Sequence, residues 1–318
     1  MPSNIPNQHT ALVLEDREAG FELKTIPVPQ LEAGSAIVSI EAAGILPYHL
    51  KVIRHYPIPT PLVGGFSAIG RIAAAGPDAV SLQPGQLVYV DCVVHARDNP
   101  DAFFLSAVIE GFSDESKRLM RDVWRDGSFA EYMKAPLENC IPLLENQLCK
   151  ELGYTIPELT YMAFLLVPYG GLAKIQLLPG ETVVISPATG GYGRAAVQVA
   201  VAMGARVIAM GRNEEKLAAL KAHANRASSN ANIEIVAISG DENQDLAALR
   251  AFGTIDAALD LTPSSAASSS HTKSAIRSLR RGGRISLMGS TQNIGVGEIL
   301  TNNITLRGEN RLYQVLYH

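Results

Sequence analysis

Residues 182–193 read TVVISPATGGYG, and a helical pattern follows directly from Arg194. A short apolar strand therefore enters a glycine-rich turn that opens into a helix. A bound pyrophosphate needs backbone N–H groups at a helix N-terminus and glycines that allow close approach. Gly190, Gly191 and Gly193 meet these requirements. The stretch predicts a strand, turn and helix that bind a dinucleotide.

The surrounding sequence strengthens this prediction, although Ala188 replaces the first glycine of the usual GxGxxG pattern. A second strand, ARVIAM, ends about twenty residues after the turn. Further strands are predicted at EIVAI, IDAALDL and GRISLMGS, with helical patterns in between. Strands that alternate with helices require a parallel sheet covered on both faces. We therefore predict an α/β fold with a doubly wound Rossmann sheet over residues 151–318.

The end of the second strand indicates which dinucleotide is bound. An NAD-specific site places Asp or Glu there, whereas this chain has Gly211 followed by Arg212. Arginine is a permanently charged donor that suits a 2′-phosphate, so the sequence favours NADPH over NADH. Lys216 adds a second positive charge. The predicted cofactor-binding residues are Thr189, Gly190, Gly191, Tyr192, Gly193, Arg212, Asn213, Lys216, Gly289 and Ser290.

The first half of the chain has a different pattern. From residue 11 to about 140, short alternating or apolar runs are interrupted by Pro and Gly, which is typical of antiparallel strands in a barrel-like domain. Residues 95–126 are charged, with apolar residues at helical intervals, and predict an inserted helical segment. We place the first domain at residues 1–150.

The composition excludes several classes of function. The chain has 318 residues, 47% hydrophobic residues and a net charge of −4, which suits a globular protein and gives no basic surface for nucleic acid. Neither a secretory signal nor a membrane span is evident, so we expect a cytoplasmic protein. Its three cysteines lack CxxC spacing and are expected to be reduced thiols.

Several short motifs follow one another in a characteristic order: EAAGILPYHLKV, GFSAIGRIAAAG, PGQLVYV, GSFAEYMKAP, PGETVVISPATGGYGRAAVQVA, GRNEEKL, RRGGRISLMGS and NNITLRG. In this order the chain resembles the medium-chain dehydrogenase/reductase superfamily, and within it the zinc-independent quinone-oxidoreductase-like and enoyl-reductase-like branch. The resemblance implies an N-terminal GroES-like substrate domain. It also implies a homodimer paired along a sheet edge near residues 293–307.

The resemblance also bears on metal binding. Zinc-dependent relatives carry ligands at the positions of Leu46, Phe66 and Ser67 and near Ala163, where this chain has no thiolate, imidazole or carboxylate. His49 and His55 are two possible ligands without a third. We therefore expect no zinc site.

Without a metal, hydride delivery to a conjugated C=C bond or a quinone of a small apolar substrate fits best. Tyr48 lies where relatives place the hydroxyl residue of a proton relay, so it is the candidate proton donor, and Tyr169 is a weaker alternative. His49 could lie beside Tyr48 and tune it, although alternation along a strand would point the two side chains apart. Two other functions stay open at this point, a non-redox isomerase or cyclase and a non-catalytic NADPH-binding protein.

The resemblance finally implies a C-terminal helix and strands that return to the substrate domain after ITLRG. This chain ends at RLYQVLYH, so the return is expected to be missing. Apolar surface would then be exposed unless residues 95–126 or a second subunit cover it.

Overall fold

A computed structural model of the protein describes residues 5–46, 48–292 and 294–308. The C-terminal segment RLYQVLYH, on which the prediction of a missing return depends, lies outside the described residues, as do Pro47 and Asn293. The contacts divide the chain into two units, Met1–Ala163 and Phe164–His318. No helix among the described residues is long and apolar enough to cross a bilayer.

The first unit is built from antiparallel strands, as the alternating pattern predicts. One sheet has the order β2-β1-β4, a second has the order β10-β6-β5-β3-β9, and β7 pairs with β8. The strands are β1 Gln8–Leu14, β2 Phe21–Pro27, β3 Ser35–Ala43, β4 Leu62–Val63, β5 Ala68–Ala75, β6 Leu87–Val90, β7 Val93–His95, β8 Phe103–Leu105, β9 Tyr132–Pro136 and β10 Cys140–Pro142. The helices are α1 His49–His55, α2 Asp114–Asp122 and α3 Ile156–Leu159.

Successive side chains along a strand point to opposite faces of the sheet, and this decides which residues of the larger sheet form its core. Val38 on β3, Ile72 on β5 and Val88 on β6 are buried in one apolar cluster with Met133 of β9. Side chains two residues apart share a sheet face, so these strands bury one face together.

The prediction of a helical segment over residues 95–126 is wrong for most of its length. The described helix is α2, which begins after Ser113, whose side chain accepts a hydrogen bond from Ser116 N. Residues 102–111 are all buried, and they form β8 and a tight turn instead. A run that is rich in aromatic and β-branched residues and buried along its whole length favours extended structure over an amphipathic helix, and Gly111 with φ +81° stops helical propagation.

The second unit contains the predicted parallel sheet. Its order is β13-β12-β11-β14-β15-β16, and every neighbouring pair is parallel. The strands are β11 Thr182–Ser186, β12 Arg206–Gly211, β13 Ile233–Ala237, β14 Ala257–Asp260, β15 Arg284–Leu287 and β16 Thr305–Gly308. The helices are α4 Met162–Lys174, α5 Gly191–Ala202, α6 Glu214–Ala227, α7 Glu242–Arg250, α8 His271–Ser278 and α9 Val296–Thr301.

The strand order reverses beside β11. The chain proceeds from β11 outward through β12 to β13, and β14 then returns to the other side of β11. In doubly wound sheets the ligand lies at the carboxyl ends of the strands next to such a reversal. The topology confirms the doubly wound parallel sheet and directs attention to the end of β11.

Candidate functional site

The glycine turn joins the fully buried strand β11 to helix α5. Gly190 is the N-cap of α5, and no side chain of the described residues caps this helix. A Cβ atom built on Gly190 would meet nothing within 4 Å. The first N–H groups of a helix have no partner within the helix and attract anions. The turn therefore offers amide donors beside open space, which suits a pyrophosphate.

Gly193 has a different function from Gly190. A Cβ atom at Gly193 would overlap the carbonyl oxygen of Pro187 and stand 2.7 Å from the carbonyl carbon of Ala188. Ala188 N in turn donates to Met210 O of β12 at 2.7 Å. Glycine at position 193 therefore allows α5 to lie directly against the strand ends.

Among the other predicted residues of the turn, Tyr192 directs its side chain into the protein. Its ring is buried and lies 5.0 Å from the ring of Phe164, measured between centroids. The ring of Tyr192 is therefore packed inside the second unit, while its backbone lies in the first turn of α5. Thr189 is half-buried, and its side chain lies against Gly211, where a Cβ atom would be 3.1 Å from Thr189 Cγ2.

The end of β12 carries the residues predicted to select NADPH. Arg212 and Lys216 are both exposed. Asn213 is the N-cap of α6, and its Oδ1 accepts a hydrogen bond from Lys216 N at 2.8 Å. The Asn213 side chain therefore stabilises the first turn of α6, and this turn fixes the backbone positions of Arg212 and Lys216.

Gly289 and Ser290 follow β15, and backbone hydrogen bonds tie this segment to the end of β14. Met288 N donates to Asp260 O at 3.0 Å, and Ser290 N donates to Thr262 O at 2.8 Å. Sequence reasoning missed Asp260, a buried carboxylate that accepts hydrogen bonds from three threonines. Its only signal in the sequence is its position at the end of an apolar strand.

Tyr48 lies in the first unit as the N-cap of α1, where it is half-buried. Residues 49–55 are helical, so the expectation of strand alternation at Tyr48 and His49 is wrong. Val52 N donates to Tyr48 O at 3.0 Å, and the helix takes no hydrogen bond from the Tyr48 side chain as a cap. Tyr169, the weaker candidate, lies on α4 in the second unit and is 52% exposed.

His49 is buried among aromatic rings. Its ring contacts Phe21 and Phe129 with centroid distances of 5.9 and 5.8 Å. Nε2 lies 3.1 Å from Ala107 O, and because a carbonyl only accepts, Nε2 carries the proton. Nδ1 has no hydrogen-bond partner among the described residues. The Nε2 proton is therefore directed to Ala107, and Nδ1 makes no hydrogen bond to the Tyr48 hydroxyl.

The positions that hold zinc in metal-dependent relatives carry buried side chains of another chemistry. Leu46, Phe66, Ser67 and Ala163 are all buried, and Ser67 Oγ accepts a hydrogen bond from Tyr89 OH at 3.1 Å. Across the described ranges, no group of three or more His, Cys, Asp or Glu could hold a metal ion. These residues do not fit zinc, which takes thiolate, imidazole or carboxylate ligands.

Acidification from pH 8 to pH 5 is expected to destabilise the fold because His9, His49 and His271 are buried. Burial is the main cause that lowers the pKa of each ring below its usual value. The unfolded chain therefore binds more protons below about pH 6.5, and stability falls by at most about 1.4 kcal/mol per pH unit for each histidine. Urea unfolding at pH 8, 6.5 and 5, followed by Trp124 fluorescence, measures this loss.

Two substitutions test the origin of that pH dependence. His49→Gln is expected to reduce the pH slope of the free energy of unfolding, and His223→Gln, at an exposed position, is the matched control. A free energy of unfolding that does not change over this pH range would contradict the prediction.

Comparison with known proteins agrees with this architecture. A family model described as the alcohol dehydrogenase GroES-like domain matches residues 32–145, and one described as zinc-binding dehydrogenase matches residues 191–314. Acryloyl-coenzyme A reductase of Metallosphaera sedula is 29% identical over 224 residues, which is 68% of this chain and 62% of the relative. Alcohol dehydrogenase of Moraxella sp. is 26% identical over 94% of this chain and 83% of the relative.

Solved structures show the same fold at lower identity. An alcohol dehydrogenase superfamily protein from Novosphingobium aromaticivorans superposes with a TM-score of 0.70 at 20% identity, over 97% of this chain and 81% of that one. The quinone oxidoreductase from Thermus thermophilus, known also in complex with NADPH, gives a TM-score of 0.64 at 21% identity, over 95% and 80% of the two chains.

The architecture and the turn define a class of protein with a GroES-like β-unit and a Rossmann unit. The chain belongs to the medium-chain dehydrogenase/reductase superfamily, and both the predicted family and the predicted fold class are confirmed. Members of this family are oxidoreductases that use a nicotinamide cofactor. The chain covers 62% of the acryloyl-coenzyme A reductase and 59% of alcohol dehydrogenase 1 of Emericella nidulans.

Proposed function

We propose that the protein is an NADPH-dependent oxidoreductase that works without zinc and reduces a conjugated C=C bond or a quinone of a small apolar substrate. The observation that carries the cofactor choice is the end of β12, where Gly211 brings no negative charge and Arg212 is exposed. A carboxylate at this position would repel a 2′-phosphate, whereas a guanidinium donates two parallel hydrogen bonds to it.

The residues of the second unit fit the dinucleotide. The amides at the start of α5 and the open space at Gly190 would hold the pyrophosphate, and Arg212 with Lys216 would hold the 2′-phosphate. NADPH supplies a hydride when bound. The chain itself must bind and orient the cofactor and the substrate and supply a proton.

The chemistry of the side chains supports the proposal of a reaction without zinc. Leu46 and Phe66 have no donor atom, and the hydroxyl of Ser67 is not one of zinc's usual protein ligands. Polarisation of a carbonyl by zinc is therefore not part of the proposal. A hydrogen-bond donor must stabilise the negative charge that develops on the substrate oxygen.

Tyr48 is the residue proposed to supply that donor and the proton. A phenol can donate to a developing oxyanion and then protonate it or the neighbouring carbon. The names of two similar proteins support the reaction class, because an acryloyl group contains a C=C bond conjugated with a carbonyl and a quinone contains the same arrangement. His49 is proposed to support α1 from within the aromatic cluster and to take no part in proton transfer.

We further propose a cytoplasmic homodimer that uses a small-molecule substrate and neither nucleic acid nor membrane. The proposed subunit contact is the edge strand β16, whose described residues are all exposed, together with exposed Val296 and Leu300 of α9. Among the described residues β16 pairs only with β15, and an edge strand with apolar neighbours is a surface that a second strand can cover. Equilibrium sedimentation distinguishes a dimer from the monomer of 34.0 kDa.

Arg212→Ala is expected to weaken NADPH binding about 30-fold and NADH binding less than about twofold, because a hydrogen-bonded pair of charges contributes roughly 1.5–3 kcal/mol. Fluorescence titration with both cofactors measures the two dissociation constants. Arg226→Ala is the matched control, since Arg226 is exposed in the last turn of α6. Equal weakening of NADPH and NADH would disprove the 2′-phosphate assignment.

Turnover is tested on the unmodified protein with NADPH and a panel of enones, enals, quinones and aldehydes. Oxidation of NADPH by the enones, enals or quinones is the expected result. Binding of NADPH without oxidation by any of the panel would indicate a non-catalytic binding protein instead.

A further inference from the structure

A buried carboxylate at the end of β14 is bonded to hydroxyl groups. This group, Asp260, is 2% exposed. It accepts hydrogen bonds from Thr262 Oγ1 at 2.5 Å, from Thr272 Oγ1 at 2.7 Å and from Thr291 Oγ1 at 2.7 Å. Burying a carboxylate is costly unless hydrogen bonds satisfy its oxygens. Three donors from three separate segments therefore hold this group.

The direction of each hydrogen bond follows from the number of donors. A carboxylate only accepts, so the single hydroxyl proton of Thr262 is directed to Asp260. His271 Nε2 lies 2.9 Å from the same Thr262 oxygen and must therefore donate to it. Burial lowers the pKa of His271, which favours the neutral ring with its proton on Nε2. The result is a chain of two hydrogen bonds, in which His271 donates to Thr262 and Thr262 donates to Asp260.

The third threonine connects this chain to the loop after β15. Thr291 follows Gly289 and Ser290, and its hydroxyl donates to the second carboxylate oxygen, Oδ2. A Cβ atom at Gly289 would overlap the backbone nitrogen of Thr262 and stand 2.8 Å from Asp260 Oδ2. Two kinds of hydrogen bond thus hold the loop against the end of β14. The Thr291 side chain donates to Asp260, and the backbone N–H groups of Met288 and Ser290 donate to the carbonyls of Asp260 and Thr262.

The strand order places this loop on a defined side of the cofactor. The pyrophosphate turn follows β11, and Arg212 follows β12 on one side of it. A dinucleotide extends across the carboxyl ends of the strands in both directions from its pyrophosphate. If the 2′-phosphate lies at β12, the nicotinamide half must lie over the ends of β14 and β15.

We propose that Asp260 is a positioning residue that, through Thr291, holds the loop of residues 289–292 in the conformation that receives the nicotinamide half of the cofactor. This inference rests on the proposed function for the identity of the ligand. The three threonines that donate to this carboxylate belong neither to the turn after β11, which is proposed to bind the pyrophosphate, nor to β12, whose end is proposed to bind the 2′-phosphate. A residue that merely stabilises the fold would affect both halves of the cofactor equally.

The test uses Thr291→Val and Asp260→Asn in the full chain, with NADPH and 2′,5′-ADP as probes. The second probe has the 2′-phosphate and adenosine but lacks nicotinamide. Thr291→Val removes one hydroxyl that donates to a charged group, so NADPH binding should weaken about tenfold while 2′,5′-ADP binding stays within about twofold. Thr301→Val is the matched control, because the Thr301 hydroxyl bonds locally to Gly297 O on α9.

Amide hydrogen exchange gives a second measurement that needs no cofactor. In Thr291→Val, peptides covering residues 288–292 should exchange at least about fivefold faster, with unchanged exchange in β11 and α5. Equal weakening of both probes, or unchanged binding and exchange, would overturn the proposal. Failure of the unmodified protein to bind NADPH would instead contradict the proposed function, and the exchange result would still decide whether Asp260 and Thr291 hold the loop.

Discussion

Replacing Tyr48 by Phe is expected to lower kcat for NADPH oxidation about 100-fold, at the low end of the range for loss of a general acid. Binding of NADPH should stay within about twofold, because the substitution removes one oxygen and keeps the ring. Helix α1 is held at Tyr48 through its backbone carbonyl and takes no side-chain cap there. Stopped-flow measurement of NADPH absorbance with a verified substrate gives the hydride-transfer rate directly.

Two further tyrosines make this prediction discriminating. Tyr154→Phe, at an exposed position of the same unit, is the matched control and should retain full turnover. Tyr169→Phe tests the weaker candidate on α4. Full activity in Tyr48→Phe together with a large loss in Tyr169→Phe would transfer the assignment to Tyr169, and full activity in both would exclude a tyrosine donor at either position.

Gly193→Ala is expected to lower the free energy of unfolding by about 3 kcal/mol, at the upper end of the cost of overpacking. The added methyl group would meet backbone atoms of Pro187 and Ala188, which cannot rotate away as a side chain can. Helix α5 would have to move off the ends of β11 and β12. For a unit of this size the unfolding midpoint should fall by roughly 6–12 °C, and NADPH binding should be lost together with it.

Gly170→Ala provides the control for this effect. Gly170 lies inside α4, and a Cβ atom there would meet nothing within 4 Å, so alanine should leave stability unchanged or raise it by up to about 1 kcal/mol. Calorimetry on both variants measures the midpoints. An unchanged midpoint in Gly193→Ala would mean that α5 can move without cost and that Gly193 is not needed for close packing.

Five strands of the second unit, β11 to β15, were predictable because each one is a mainly apolar run between turn residues, whereas the exposed strand β16 was not predicted. Thr182–Ser186 lies as predicted between Gly180 and the glycine turn. The same reasoning failed at residues 49–55 and over much of residues 95–126. In both places, contacts distant in the chain decide the local structure: the carbonyl of Ala107 bonds His49, and the buried run at residues 102–111 packs into the core of its unit.

Only some residues of the candidate cofactor site could be predicted from the sequence. The turn glycines and Arg212 were found because their chemistry depends on neighbours along the chain. Asp260 was not found, because its partners Thr262, Thr272 and Thr291 come together only when β14, α8 and the loop after β15 are in place. No spacing rule connects a carboxylate to a hydroxyl 31 residues away.

The sequence by itself determined the superfamily, the parallel sheet, the glycine turn after β11 and the charge at Arg212. These features depend on local periodicity and on single residue types. Only the tertiary structure decided that Gly193 serves close packing while Gly190 leaves space for a ligand. It also decided that Tyr192 points into the protein and that Asp260 accepts a hydrogen bond from Thr291 in the loop after β15. Those distinctions depend on which atoms meet in space, and the order of residues along the chain does not specify such contacts.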